Sequence, residues 1–195
     1  MKINKQNTKK IGIDLGGTNV RVGLVTNNKL KDIVSNRIPD SGSKEEILKL
    51  IYDLIEKFDL EGVDSIGVGV PSVVDTEKGI VYDVQNIPSW EEVHIKDIFE
   101  DRYNIPVFVN NDANCFVLGE KCYGKAQDYK HVIGLIIGTG LGAGVLIDNK
   151  LYEGRNCGAG EFGMMPYRNS IYEKYCSGQF FEQKKNIRGD NLYNK

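Results

Sequence analysis

Ile11-Gly-Ile-Asp14-Leu-Gly-Gly-Thr18-Asn-Val-Arg-Val-Gly-Leu-Val25 reads as strand, glycine turn, strand. Lys10–Leu15 and Val20–Thr26 alternate apolar with small or polar residues, the period of a half-buried strand. Gly16, Gly17, Thr18 and Asn19 form the first turn, and Asn27-Asn28-Lys29 a second one leading into Leu30–Ile38. Asn and Gly accept the left-handed backbone that tight hairpins require. Glycines in such a turn leave backbone N–H groups able to meet phosphate oxygens. A carboxylate ending a buried strand is costly unless a cation offsets it, so Asp14 suits a water-mediated contact to magnesium beside those phosphates. Alone, the segment reads equally as an ordinary hairpin with an Asp turn.

A second segment of the same kind changes that balance. Displaced by 122 residues, Ile133–Ile147 lies on Ile11–Val25 with Ile11/Ile133, Gly12/Gly134, Gly16/Gly138 and Leu24/Leu146 identical. So few identities can also arise by chance among glycine-rich hairpins. As a true repeat, they predict two glycine hairpins, the second being Gly138-Thr139-Gly140-Leu-Gly142, facing a polyanion across a cleft between similar domains.

Outward from these segments the pattern is mixed α/β. Ser43 with Glu46 three residues on is a capping box, and Ile47, Leu48, Ile51, Leu54, Ile55 and Phe58 follow at helical spacing. Ser65–Val70 reads as a buried strand, Val93–Tyr103 as a helix and Pro106–Val109 as a strand running into Asn110-Asn111-Asp112. Ala113–Tyr123 reads as a helix, and Tyr129–Ile137 and Gly142–Ile147 as strands. The order β-β-β-α-β-α-β predicts an antiparallel meander joined to parallel strands by helical crossovers. The implied domains are 10–112 and an incomplete 113–195, which should expose an apolar sheet edge or face.

Composition narrows the function. The chain has 195 residues, enough to bury about 70% of its unfolded surface without a disulfide or metal. Net charge is −2, which offers no basic face for nucleic acid. No apolar run approaches a membrane span, and Met1–Lys10 is polar with no signal-type apolar region after it. Cys115, Cys122, Cys157 and Cys176 contain no C-x-x-C pair, and the two histidines, His94 and His131, form no zinc helix. A cytoplasmic protein with free thiols and no zinc site is expected. Nine of the 22 glycines lie between Gly134 and Gly163, a concentration suited to close approach of backbone to a ligand.

At the predicted strand-to-helix junction, Asp112 could cap the helix or act as a general base, with Asn111 and Asn114 as neutral hydrogen bonders; the two roles are compatible. Two motifs are decoys. Gly119-Glu-Lys-Cys-Tyr-Gly124-Lys125-Ala126 follows a helix and lacks the P-loop hydroxyl, and no clear strand precedes Gly158-Ala-Gly-Glu-Phe-Gly163.

Taken together, the residues resemble the ROK family of sugar kinases, in the actin-like/ribonuclease H-like ATPase fold. Asp14-Leu-Gly-Gly-Thr18 and Gly138-Thr-Gly-Leu-Gly142 are similar to its two phosphate motifs, and Asn111-Asp112-Ala-Asn114 to its catalytic segment. Gly67-Val-Gly-Val-Pro71-Ser72 and Asn86-Ile-Pro-Ser-Trp90 resemble its sugar loops, and Gly158-Ala-Gly-Glu161-Phe-Gly163 the start of its sugar motif. The resemblance implies ATP and Mg2+, a hexose or N-acetylhexosamine acceptor, and Asp112 as base. Asn86, Asn111, Glu161, Pro71 and Ser72 would serve the sugar. Asp14, Gly16, Gly17, Thr18, Asn19, Gly138, Thr139 and Gly140 would serve ATP, with Asp14 also meeting magnesium through water. Glu173, in Glu173-Lys-Tyr-Cys-Ser-Gly178, is a further sugar candidate. Met164 stands where the family has His, and the cysteine-rich zinc segment is absent. The C-terminal helices and strands that hold adenosine in the family are also missing, so the chain reads as C-terminally truncated. A sugar-sensing ROK regulator or a non-catalytic sugar-binding remnant is the alternative. Asp14 lies too near the start for a helix-turn-helix before it. The family also suggests a homodimer.

Overall fold

Asn27 and Asn28 hold φ of 52° and 62°, a tight turn between β2 (Asn19–Thr26) and β3 (Lys29–Arg37), with Val25 opposite Leu30 and Thr26 opposite Lys29. Strand β1 (Lys9–Leu15) pairs antiparallel with β2, Asp14 facing Arg21 across the ladder. Its Ile11, Ile13 and Leu15 point into the core, while Gly12 and Asp14 point out. The computed structural model describes residues 8–39, 41–84, 87–154 and 158–185, and the chain divides into two units, Met1–Asp112 and Ala113–Lys195.

In the first unit, helix α1 (Lys44–Ile55) crosses from β3 to β4 (Ser65–Val70), which lies parallel to β1. The capping box is present: the Ser43 amide donates to Glu46 Oε2 at 2.8 Å, and the Glu46 amide to Ser43 Oγ at 3.2 Å. Ile47, Leu48, Ile51, Leu54 and Ile55 bury the helix against the sheet. Strands β5 (Val73–Asp75), β6 (Ile80–Tyr82) and β7 (Glu92–His94) then form a small antiparallel sheet that the periodicity did not reveal. Val93 is therefore not helical as expected: it pairs with Val81, and α2 runs only from Ile95 to Tyr103. Strand β8 (Val107–Asn111) completes a five-stranded sheet of order β3-β2-β1-β4-β8.

In the second unit, helix α3 (Asp112–Tyr123) precedes a sheet of β9 (Val132–Ile137), β10 (Leu141–Ile147) and β11 (Lys150–Leu151). The expected strand start at Tyr129 moves to Val132, because the Lys121 ammonium takes the Gln127 and Tyr129 carbonyls at 2.7 and 2.8 Å and holds that segment in a turn. A ribbon of β12 (Pro166–Tyr167) and β13 (Ser170–Ile171), then α4 (Tyr172–Cys176) and α5 (Gly178–Lys185), follow. No described helix is long and apolar enough to cross a membrane.

The internal repeat is visible in the strand register, with one revision. Leu15 pairs with Val20 but Ile137 with Leu141, so the second hairpin turn is one residue shorter. Beyond the turn the equivalence is therefore 121 residues, and Leu24 matches Val145 rather than Leu146. This alignment places Gly23 on Gly144 and Asn28-Lys29-Leu30 on Asn149-Lys150-Leu151. Asp148 and Asn149 repeat the positive φ of Asn27 and Asn28, at 51° and 63°. The pair Gly12–Gly23 recurs as Gly134–Gly144.

Gly12 and Gly144, one from each pair, have opposite surroundings. A Cβ on Gly144 would lie 2.6 Å from the Ala113 carbonyl oxygen and from Val117 Cγ1, so glycine lets α3 lie on β10. A Cβ on Gly12 would meet nothing within 4 Å. Gly144→Ala should therefore cost about 1–3 kcal/mol in chemical denaturation. Gly12→Ala should stay within about 0.5 kcal/mol of wild type. Equal effects would show that helix α3 does not press on β10.

Candidate functional site

The parallel order β1-β4-β8 brings three carboxyl ends to one edge of the first sheet. Asp14 is in register with Gly69, and Gly69 and Val70 with Asn110 and Asn111. Asp14, the Pro71-Ser72 corner and Asn110-Asn111-Asp112 thus leave the sheet side by side, where open α/β sheets characteristically bind ligands. The backbone past β4 is pinned there. The Ser72 amide donates to the Val70 carbonyl at 3.0 Å, its hydroxyl bonds the Tyr82 carbonyl of β6, and Asn111 Nδ2 donates to the Ser72 carbonyl at 3.2 Å. Asn111 and Asp112 are half-buried, and Asp112 begins α3, where a carboxylate is favoured by the helix dipole.

The first hairpin tip is closed by the Gly16 amide donating to the Asn19 carbonyl at 2.9 Å, and the Thr18 carbonyl accepts from the Ile38 amide at 2.9 Å. Thr18 and Asn19 are exposed. Asp14 is not the buried carboxylate expected from its strand: its side chain is 52% exposed and bonds Arg21 Nη1 at 3.0 Å. Gly12 and Asp14 occupy the face that α1 leaves open, so the desolvation cost does not arise. Arg21 was missed in the sequence, although two strands around a short turn place it directly opposite Asp14.

Asn86 lies outside the described residues. The segment after it is anchored by Trp90, which is fully buried, while Ser89 Oγ donates to the Gly42 carbonyl at 2.8 Å.

The second unit carries the other candidates. The tip Gly138–Gly140 is closed by the Gly138 amide on the Gly140 carbonyl at 3.0 Å. It is also tied to the following helices. The Gly178 amide donates to the Gly138 carbonyl at 2.7 Å, and the Leu141 amide to Glu173 Oε2 at 2.9 Å. Glu173 Oε1 accepts from Gln179 Nε2 at 2.8 Å. A Cβ at Gly140 would stand 2.7 Å from Glu173 Oε2, which explains that glycine by packing. The Glu161 side chain is exposed at the start of the 3-10 turn Phe162–Met164. Gly160 (φ 93°) and Gly163 bring its loop onto β10, since a Cβ at either would fall 2.1 or 2.4 Å from the Ala143 or Leu141 carbonyl oxygen. Two of the three glycines in the G-x-G-x-x-G spacing there serve this close approach. Met164 is exposed beside it. Among the described residues no three His, Cys, Asp or Glu side chains gather as metal ligands.

The chain is similar to known proteins over most of its length. The chain is 38% identical over 157 residues to a glucokinase of Thermotoga maritima, covering 80% of this chain and 50% of that protein. It is 35% identical over 172 residues to a xylose repressor of Caldicellulosiruptor bescii, covering 84% of this chain and 42% of that one. A ROK family glucokinase from Streptomyces griseus, solved with glucose and AMPPNP, superposes with a TM-score of 0.79 at 31% identity, over 95% of this chain and 64% of that one. The chain spans about half the length of the two curated relatives or less. The central sheet is that of the actin-like sugar kinases, and with the family pattern matched over residues 10–195 the chain belongs to the ROK family.

Proposed function

We propose that this chain supplies the sugar-binding and phosphate-binding part of an ATP-dependent kinase for a hexose or N-acetylhexosamine. The observation that carries the reading is the shared carboxyl edge of β1, β4 and β8, which sets Asp14, Pro71-Ser72 and Asn111-Asp112 side by side. In this reading Asn111, with its amide already oriented by Ser72, holds a sugar hydroxyl, as do Asn86 and Glu161. Asp112 takes the proton of the acceptor hydroxyl as its oxygen bonds the γ-phosphorus, and the bond to the β-phosphate oxygen breaks with its electron pair leaving on ADP. Gly16, Gly17, Thr18 and Asn19 in one hairpin and Gly138, Thr139 and Gly140 in the other hold phosphate oxygens through backbone N–H groups. A single half-exposed carboxylate, Asp14, fits magnesium that arrives with the nucleotide and keeps most of its ligands as water and phosphate. When bound, that ion neutralises phosphate charge.

Asp112→Asn should lower sugar-dependent ATP turnover by about 10²–10⁴-fold, the usual worth of a positioned general base, while sugar affinity by calorimetry stays within a few-fold. The assay runs a panel of hexoses and N-acetylhexosamines on the chain and on an extended form of it. Turnover that survives the substitution would overturn the role of Asp112. Similarity to a xylose repressor favours a second reading, a sugar sensor. Sugar binding with no ATP·Mg binding in either form would select it.

Glu173 is assigned to the second hairpin as its anchor, on the strength of the Leu141 amide bond. Glu173→Ala leaves that amide without its acceptor, worth about 1–3 kcal/mol. Hydrogen exchange at 138–141 should quicken about ten- to hundredfold, and the nucleotide KM should rise more than the sugar KM. A rise confined to the sugar KM, with exchange unchanged, would make Glu173 a sugar ligand instead.

A further inference from the structure

One short helix, α4, ties the Glu161 loop to the second hairpin tip. Gly163 lies against the Leu141 carbonyl, where a Cβ would fall at 2.4 Å, and the Leu141 amide donates to Glu173 Oε2 of α4 at 2.9 Å. At the end of the loop the Met165 carbonyl accepts from the amide of Tyr172, the first residue of α4, at 3.0 Å. Just past α4 the Gly178 amide holds the Gly138 carbonyl at 2.7 Å. Helix α4 has five residues and no side-chain cap at its N-terminus, too little to be stable without packing. The β12–β13 ribbon is as slight, with two residue pairs, Pro166–Ile171 and Tyr167–Ser170. What joins ribbon to helix is aromatic. Tyr167 stacks on Tyr172, with ring centroids 4.6 Å apart and planes 16° apart, and meets Tyr175 edge-on at 5.2 Å. The Arg168 guanidinium lies 5.3 Å from the Tyr167 centroid and 5.6 Å from that of Tyr175, and the Tyr175 hydroxyl donates to Asn169 Oδ1. Arg168 holds a φ of 53°, a left-handed backbone that is unfavourable for a residue with a side chain. Contacts to α4 therefore hold the turn of the ribbon in a form it would not keep alone.

We propose that Tyr167 is a positioning residue, whose packing on Tyr172 and Tyr175 sets the Glu161 loop and the Gly138–Gly140 tip as one piece. The bond from Tyr172 to Met165 and the bond from Leu141 to Glu173 both depend on where α4 lies. A ribbon loosened from α4 removes their common support, so the two segments loosen together. The rings carry the clamp, so phenylalanine serves at 167 as well as tyrosine. In the kinase reading the two segments serve sugar and phosphate, and Tyr167 then tunes both affinities while touching neither ligand. Only this kinetic consequence rests on that reading.

The test is hydrogen exchange on the chain with Tyr167→Ala and Tyr167→Phe. The alanine variant loses two aromatic pairs, so exchange at 138–141 and at 161–165 should quicken together by about ten- to hundredfold. Exchange at 9–15 and 65–70, in the first unit, should not change. Tyr167→Phe should restore both segments to within about twofold of wild type, because it keeps the ring contacts. Tyr167→Leu keeps apolar volume without the ring, and should quicken the same two segments together even if the alanine variant does not fold. In any form that turns over ATP, Tyr167→Ala should raise the sugar KM and the nucleotide KM by like factors with kcat within a few-fold. A mere loss of folded protein would lower kcat and leave both KM values in place. The proposal is overturned by quickening in one segment alone, by no quickening in either, by a phenylalanine variant as damaged as the alanine one, or by a rise in only one KM. Paired quickening without any sugar-dependent ATP turnover in wild type would leave the clamp standing and count against the proposed function alone.

Discussion

Parallel pairing of β1 with β4, and of β4 with β8, is the constraint on which the first unit depends. Parallel strands must be joined by crossovers, so each leaves the sheet at the same edge and the chain must return over a face. That places Asp14, the Pro71-Ser72 corner and Asn111-Asp112 together although they are separated by dozens of residues in sequence. The backbone hydrogen bonds that define the strands also define the spacing of these groups. The small sheet β5-β6-β7, inserted between β4 and α2, then braces the corner through Ser72 and the Tyr82 carbonyl.

The second unit reuses the same hairpin in different surroundings. Strands β9 and β10 repeat the register, the cross-strand glycine pair and the positive-φ turn of β1 and β2. Helix α3 covers the glycine face of β9–β10 through Val117, and the Gly160–Gly163 loop lies against the Ala143 and Leu141 carbonyls of β10. In the first unit Gly12 is open, Gly23 is covered only by Leu30 and its neighbours on β3, and the apolar face is buried. One sequence pattern therefore supports two burial patterns, because burial depends on which layer the rest of the chain brings to each face. The hairpin tip Gly138–Gly140 differs from its counterpart in the same way: Glu173 and Gly178 hold it from outside, whereas Gly16–Asn19 is closed within itself and by Ile38.

Much of this was legible in the residues. The hairpins, the Ser43–Glu46 capping box, the Ser65–Val70 strand and the junction at Asp112 follow from alternation, turn chemistry and caps, all of which act over a few residues. The resemblance to ROK kinases was legible for the same reason, since its motifs are short and ordered. Local rules failed where a partner decides. Val93 carries apolar character compatible with a helix or a strand, and only pairing with Val81 settles it as strand. Arg21 reads as a surface residue until β2 turns it toward Asp14. Glu173 reads in the sequence only as a sugar candidate, and the fold alone shows that its two oxygens accept from the Leu141 amide and from Gln179.

The sequence by itself determined that Ile11–Val25 and Ile133–Ile147 are strand–turn–strand units, because side-chain alternation and glycine turns are properties of adjacent residues. Only the tertiary structure decided that the repeat continues with a one-residue shorter turn, since register is a matching of strands and a gap is invisible without the partner. It also decided that Asp14 is exposed and paired with Arg21, and that Ile133, Leu135 and Ile137 lie open while Ile11, Ile13 and Leu15 are buried. Exposure belongs to a residue's neighbours in space, and those neighbours come from distant parts of the chain.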